Sequence, residues 1–242
     1  LKSQLPSFLR ENDIDFCIAN AENSVYGLGV SPKVLDELFG LGVDAVTLGN
    51  HTFSYHDFID RANSYNNVVV PSNVSSKWPG RKYIIIQKGD KKLAVFNLMG
   101  QVDMGTYSDS PFEKADEILR SIEGSKPDAI FLDFHAEATS EKQAMGYYLD
   151  GRISVMVGTH THVQTSDSKI LPHGTGYITD AGMTGCLDSI IGMDIETSLV
   201  RFIDKIPAKY QPAEGEAAMC GIICEVDYNG KCISISRFCV YE

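Results

Sequence analysis

The stretch Val155–Thr165, V-M-V-G-T-H-T-H-V-Q-T, opens as an apolar run, breaks at Gly158 and presents His160 and His162 two residues apart. In an extended segment, residues i and i+2 point to the same side. Two imidazoles facing one way at the end of a buried strand suit metal coordination, because neutral imidazole is a common ligand for zinc, iron and manganese-type ions. An isolated H-x-H is equally a pair of loop histidines that only hydrogen-bond, so the rest of the chain has to decide.

Working outward, the 242 residues carry 43% hydrophobic and 22% charged side chains, the balance of a globular protein with one large core or two modest ones. No apolar run approaches the ~18 residues of a membrane span, and Leu1–Arg10 lacks the order of a signal peptide. The net charge of −11 and the absence of clustered Lys and Arg argue against polymeric nucleic acid as a partner. A small phosphorylated substrate stays compatible, since bound cations dominate the local field of an acidic protein. Of the six cysteines, none forms C-x-x-C, and Cys17, Cys220 and Cys224 fall among apolar strand residues. Reduced thiols and a cytoplasmic protein are expected.

The pattern along the chain alternates strands and helices. A helix tail is expected over the first ten residues, with Leu5, Phe8 and Leu9 on one side, then a buried strand over Asp15–Ala19. Ser31 caps a helix with Pro32 at its first position, closed by Gly40 and Gly42. Further strands are read at Ala45–Leu48, Val68–Val70, Ala129–Phe134, Ser154–Val157 and Gly176–Thr179. Helices are read at His56–Ser64, from Pro111 to about Glu123, and at Ser140–Leu149. K-G-D-K-K and D-Y-N-G-K each turn a β-hairpin, the second between Gly221–Val226 and Cys232–Phe238. This predicts an α/β protein, a single domain over 1–242, with two sheets packed together and covered by helices.

Polar residues collect at the strand ends: Glu22 and Asn23, Asn50 and His51, His135, His160 and His162. In open α/β sheets, ligands gather outside the carboxyl ends of strands. Any one of these residues alone reads as a turn residue or a hydrogen-bonded histidine; together they read as a metal site. The donors are nitrogen and oxygen without thiolate, which suits iron, manganese, nickel or catalytic zinc. Their number exceeds the needs of one ion, so a two-metal site is expected, with Glu22 as the bridging carboxylate and a hydroxide activated between cations. His51, next to Asn50, is the candidate proton donor to the leaving oxygen. Asp133 shares parity with His135 and could orient it.

The order G-N-H, a distant H, then G-T-H-T-H is similar to that of the calcineurin-like metallophosphoesterases. Closer still, D-F-C-I-A-N-A-E-N, V-T-L-G-N-H-T, N-L-M-G, D-F-H-A-E-A-T-S-E-K, V-G-T-H-T-H-V-Q-T and I-T-D-A-G-M-T-G together resemble the YmdB-like bacterial phosphodiesterases, across essentially the whole chain. The resemblance implies a four-layer αββα sandwich and two metal ions, iron or alternatively manganese. It also implies phosphodiesterase activity on cyclic nucleotides (2′,3′- or 3′,5′-cyclic) by metal-hydroxide attack. It assigns Glu22 to the bridge, Asn23 and His162 to a first metal, Asn50, His135 and His160 to a second, and His51 to the general acid. Family members also begin with a strand ending in G-D-I-V-G, whose Asp binds the first metal. The present sequence opens inside the following helix, without that strand. The full protein is expected to possess it, because losing a central strand would bare sheet edges; a true loss would weaken the first metal. Asp180 is no replacement, since the family has that residue as well.

His56, His173, Trp78 and Arg81 are read as structural or solvated, and Tyr147–Tyr148 as core packing. The rival functions are a phosphomonoesterase, which would use the same metals, and a metal-binding scaffold with weak or lost catalysis. A small phosphodiester or nucleotide is the expected partner, with no membrane; the sequence leaves a homo-oligomer open.

Overall fold

A computed structural model describes residues 1–209 and 211–242. Its strands fall into three sheets. β1 (Ile18–Asn20), β2 (Ala45–Thr47) and β3 (Val68–Val69) are parallel in that order. The second sheet comprises β4 (Tyr83–Lys88), β5 (Lys91–Met99), β6 (Ala129–His135), β7 (Val155–Thr159), β8 (Lys169–Ile170) and β9 (Gly176–Ile178), in the order β4-β5-β6-β7-β9-β8. Its four central strands are parallel and its edges antiparallel. The third sheet is an antiparallel meander of β10 (Thr184–Cys186), β11 (Ala217–Val226) and β12 (Cys232–Tyr241).

Period-two alternation sorts each strand into two faces. On β6, Ile130, Leu132 and Phe134 join a core under helices α4 (Pro111–Ile122) and α5 (Thr139–Leu149), while Phe131 packs toward the other strand layer. On β2 and β3, Val46 and Val68 pack under α1 (Leu5–Glu11), α2 (Pro32–Gly40) and α3 (His56–Arg61), whereas Ala45 and Val69 meet Leu93 and Val95 of β5. The third sheet shares this second strand layer, with Phe238 against Phe8 of α1 and Ile222, Cys224 and Val226 against β7. The layers therefore run helix, strand, strand, helix. The α2 cap is as expected, the Ser31 hydroxyl accepting from Val34 N–H. Pro6 lies in the first turn of α1, where its missing N–H costs no helical bond.

Three expectations need correction. One strand layer is split into two three-stranded sheets, because no strand among the described residues pairs with both β1 and β11. A cavity of about 1350 Å³ lies between these strands, lined by Ile18, Phe131, Val157 and Ile222 and reaching Glu22 and His160. The first strand also sits three residues later than read, at Ile18–Asn20, since Asp44 ties down Cys17 N–H ahead of the ladder. Finally, the thiols are not all reduced: Cys220 and Cys239, directly opposed on β11 and β12, form a disulfide, so cysteine usage no longer supports a reducing compartment. Cys17, Cys186, Cys224 and Cys232 are free. Among the described residues no helix is long and apolar enough to cross a membrane.

Candidate metal centre

Parallel β1, β2, β6, β7 and β9 end at one edge, and the residues following them meet there. His135, on the inward face at the end of β6, is 1% exposed, as is Glu22 in the turn after β1. Around His135 Nε2 lie Glu22 Oε1 at 3.0 Å, Asn50 Oδ1 at 2.9 Å and His160 Nδ1 at 3.1 Å. Asn23 Nδ2 lies 3.0 Å from His162 Nε2, and Asn50 Nδ2 lies 3.2 Å from His51 Nε2. The His51 main-chain N–H donates to Glu22 Oε2 at 3.0 Å. Of the seven residues singled out from the sequence, Glu22, Asn50, His51, His135 and His160 are thus linked by direct contacts, and Asn23 and His162 form a separate pair.

The tautomers can be read from the outer contacts. The Thr159 hydroxyl donates to Asp133 Oδ1 at 2.7 Å, so at 2.8 Å from His135 it accepts from Nδ1–H. His135 Nε2 is left with a lone pair, aimed at other lone pairs on Glu22, Asn50 and His160. Ile191 carbonyl likewise accepts from His162 Nδ1–H at 2.9 Å, leaving the Nε2 lone pair to accept from Asn23 Nδ2. Asp133 takes two further donors on Oδ2, Asn20 Nδ2 and the Thr47 hydroxyl. Burial raises its pKa, against the opposing pull of His135 and these hydrogen bonds. Asp133 therefore does orient His135, but through Thr159. Thr159→Val is expected to lower metal affinity roughly 10–100-fold, the usual cost of losing an outer hydrogen bond to a ligating histidine. Titration of the metal-free variant checks this; unchanged affinity would rule the relay out.

The residues fit a metal. Glu22 Oε1 and Asn23 Oδ1 are buried and receive no hydrogen bond, and buried acceptors without donors are costly unless a cation fills the space. Glu22, His135 and His160 offer ligand atoms within 4.8 Å of one another. A methyl group on Gly49 would collide with Glu22 Oε2 and the His135 ring, so the space in front of these donors is kept clear. Burial raises the pKa of Glu22; a protonated His135, by its charge and hydrogen bond, together with the His51 N–H would bring it down to about 2, whereas beside the neutral Nδ1–H tautomer only the His51 N–H pulls that way. Burial, aided by His135, lowers His160 to about 4. At neutral pH both are thus already in their ligating forms, an anionic carboxylate and a neutral imidazole.

A model of the family described as YmdB-like protein matches residues 1–238. The chain belongs to the YmdB-like family. A 2′,3′-cyclic-nucleotide 2′-phosphodiesterase of Bacillus subtilis is 42% identical over 243 residues, covering 100% of this chain and 91% of that protein. Among solved structures, a hypothetical protein of Thermus thermophilus superposes with TM-score 0.91 at 38% identity, over 99% of this chain and 92% of that one. A Mycoplasma pneumoniae structure described as a novel phosphatase gives 0.92 at 31% identity, over 99% and 87%. The fold of this YmdB-like protein is the one these structures share.

Sequence reasoning about this YmdB-like chain missed Thr159 and Gly49, although both stand within the quoted motifs, and missed the Ile191 carbonyl, which no side-chain signal marks. The extended-strand argument for His160 and His162 also fails in detail. Both lie beyond the end of β7 with positive φ, 103° and 68°, and it is this left-handed turning that brings them to the cluster. Arg81 is spent on Tyr65 carbonyl and Asn66, Trp78 packs on Phe53, and His173 pairs with Asp150. His56 opens α3, exposed. Tyr147 and Tyr148 are not core: they are 58% and 41% exposed, and Tyr148 reaches across to Asp116.

Proposed function

We propose that this YmdB-like protein is a metal-dependent phosphoric ester hydrolase, a phosphodiesterase acting on a small phosphodiester, with a cyclic nucleotide as substrate class. The observation that carries the reading is the convergence of Glu22, Asn50 and His160 on the lone pair of His135, an arrangement that a bound cation relieves. The named activity of the Bacillus subtilis relative supports the 2′,3′-cyclic isomer over the 3′,5′-cyclic one. In this reading the site takes two ions, iron or alternatively manganese. Glu22 would be shared between them, Asn23 and His162 would hold one, and Asn50, His135 and His160 would hold the other. Residues 1–242 are taken as one domain.

When bound, such ions supply Lewis acidity, neutralising charge on the phosphoryl group and activating water. The chain supplies the rest. Asp133 and Thr159 hold His135 in the Nδ1–H tautomer, Ile191 does the same for His162, and the His51 N–H fixes the direction of Glu22. The His51 imidazole, beside Asn50, hands a proton to the departing ribose oxygen.

His51→Ala tests that last role. On a 2′,3′-cyclic nucleotide, whose alkoxide leaving group needs a proton, turnover is expected to fall about 10²–10⁴-fold. On a p-nitrophenyl phosphodiester, whose leaving group departs as the anion, the loss is expected to be small. Equal losses on both substrates would refute the general acid.

A further inference from the structure

Behind the histidine loop stands an ion pair that the proposed chemistry does not use. Lys142, from α5, and Asp180, just after β9, are both 0% exposed, with Nζ 2.9 Å from Oδ2. A buried pair of this kind gives little net stability, since desolvation offsets most of its attraction. Its partners suggest another use. Asp180 Oδ2 also accepts from Thr161 N–H at 3.0 Å and from the Thr161 hydroxyl at 2.8 Å, while Oδ1 accepts from Gly182 N–H at 2.9 Å. Thr161 is the residue between His160 and His162, both of which hold positive φ. Non-glycine residues reach that region only at a cost, and two such residues flanking a third persist only where the surroundings fix them.

We propose that Asp180, anchored by Lys142, is the positioning residue of the histidine pair: by gripping Thr161 at both its N–H and its hydroxyl, it holds His160 and His162 in the left-handed turns that point them at the cluster. Lys142 supplies the counter-charge that lets a carboxylate be buried there, and its stem runs beside Gly158, where a side chain would strike Thr179 carbonyl. The consequence for metal binding rests on the proposed function; the consequence for the backbone does not.

Two double variants separate grip from stability. Lys142→Met/Asp180→Asn and Lys142→Met/Asp180→Ala both delete the ion pair without leaving a buried charge unpaired. Only the first retains an acceptor oxygen for Thr161. In the metal-free proteins, backbone NMR couplings and Cα shifts of His160 and His162 are expected to keep their left-handed values in the asparagine variant. In the alanine variant they are expected to move toward ordinary values. Manganese titrated into the same samples is expected to bind the asparagine variant within about threefold of the parent and the alanine variant roughly 10–100-fold more weakly. Unchanged couplings in the alanine variant, or equal changes in both, overturn the positioning role. If the couplings move as expected while the parent chain itself binds no manganese, the clamp stands and the metal reading falls.

Discussion

Glu22→Gln should strip the site of metal while leaving the fold in place, with turnover down by about 10²–10³-fold or more, the range seen when one positioned electrostatic group is removed. The substitution is nearly isosteric, so the 1% exposed side chain still fills its space. What changes is charge and polarity. Glu22 Oε2 accepts the His51 N–H, which favours the ionised form against the burial that would raise its pKa. Its Oε1 has no hydrogen bond to lose. A neutral amide there either turns its NH₂ toward His135 Nε2, satisfying the lone pair that would have bound a cation, or turns it against the His51 N–H. Either orientation removes the reason for an ion to enter. Elemental analysis of metal per chain, measured beside turnover of a cyclic nucleotide, decides the matter. A Glu22→Gln protein retaining full metal and full turnover would mean that the cluster is not organised around this carboxylate.

Much of this site was legible in the sequence because parallel strands deliver their C-terminal residues to one edge whatever their loops do. Glu22 and Asn23, Asn50 and His51, His135, and His160 with His162 each follow an apolar run, and once the runs are read as strands the meeting point follows. The alternation on β6, with Ile130, Leu132 and Phe134 outward and Phe131 inward, likewise fixed the side from which Asp133 and His135 act. What was not legible depended on contacts across the sheet or on backbone angles. Thr159 is an ordinary strand residue until the register brings it beside His135. Cys220 and Cys239 are two alternating apolar positions until β11 and β12 pair them. The positive φ of His160 and His162 has no local signature, since neither is glycine or asparagine; the contacts that would impose it come from Asp180, far along the chain beyond β9. Tyr147 and Tyr148 carry the apolar signal of a core, but the buried face of α5 is taken by Met145 and Leu149 instead.

Gly49→Ala is the sharpest steric test, because at this position space and backbone can be separated. Gly49 does not hold a positive φ, so an L-residue meets no conformational strain there, and by restricting the unfolded chain alanine would even favour folding by about 0.4–1 kcal/mol. The new methyl, however, would overlap Glu22 Oε2 and the His135 ring, one the proposed bridge and the other the centre of the converging donors. Both side chains are buried, and His135 is pinned from behind by Thr159, so neither can swing aside without breaking its own hydrogen bond. Thermal unfolding of the metal-free variant should therefore show a modest net loss of about 1–2 kcal/mol, the overlap outweighing the gain in the unfolded chain, whereas metal content and turnover should fall together and further, the latter by about 10²-fold, as a displacement of roughly 1 Å costs in a positioned site. Gly158→Ala is the contrasting case. There the methyl would strike the Thr179 carbonyl, which belongs to the backbone following β9 rather than to a side chain, so β7 and β9 would have to part and the loss should appear in stability first. A Gly49→Ala protein that loads metal normally would show that the donors have room to spare and that the cleared space before His135 is not where an ion sits.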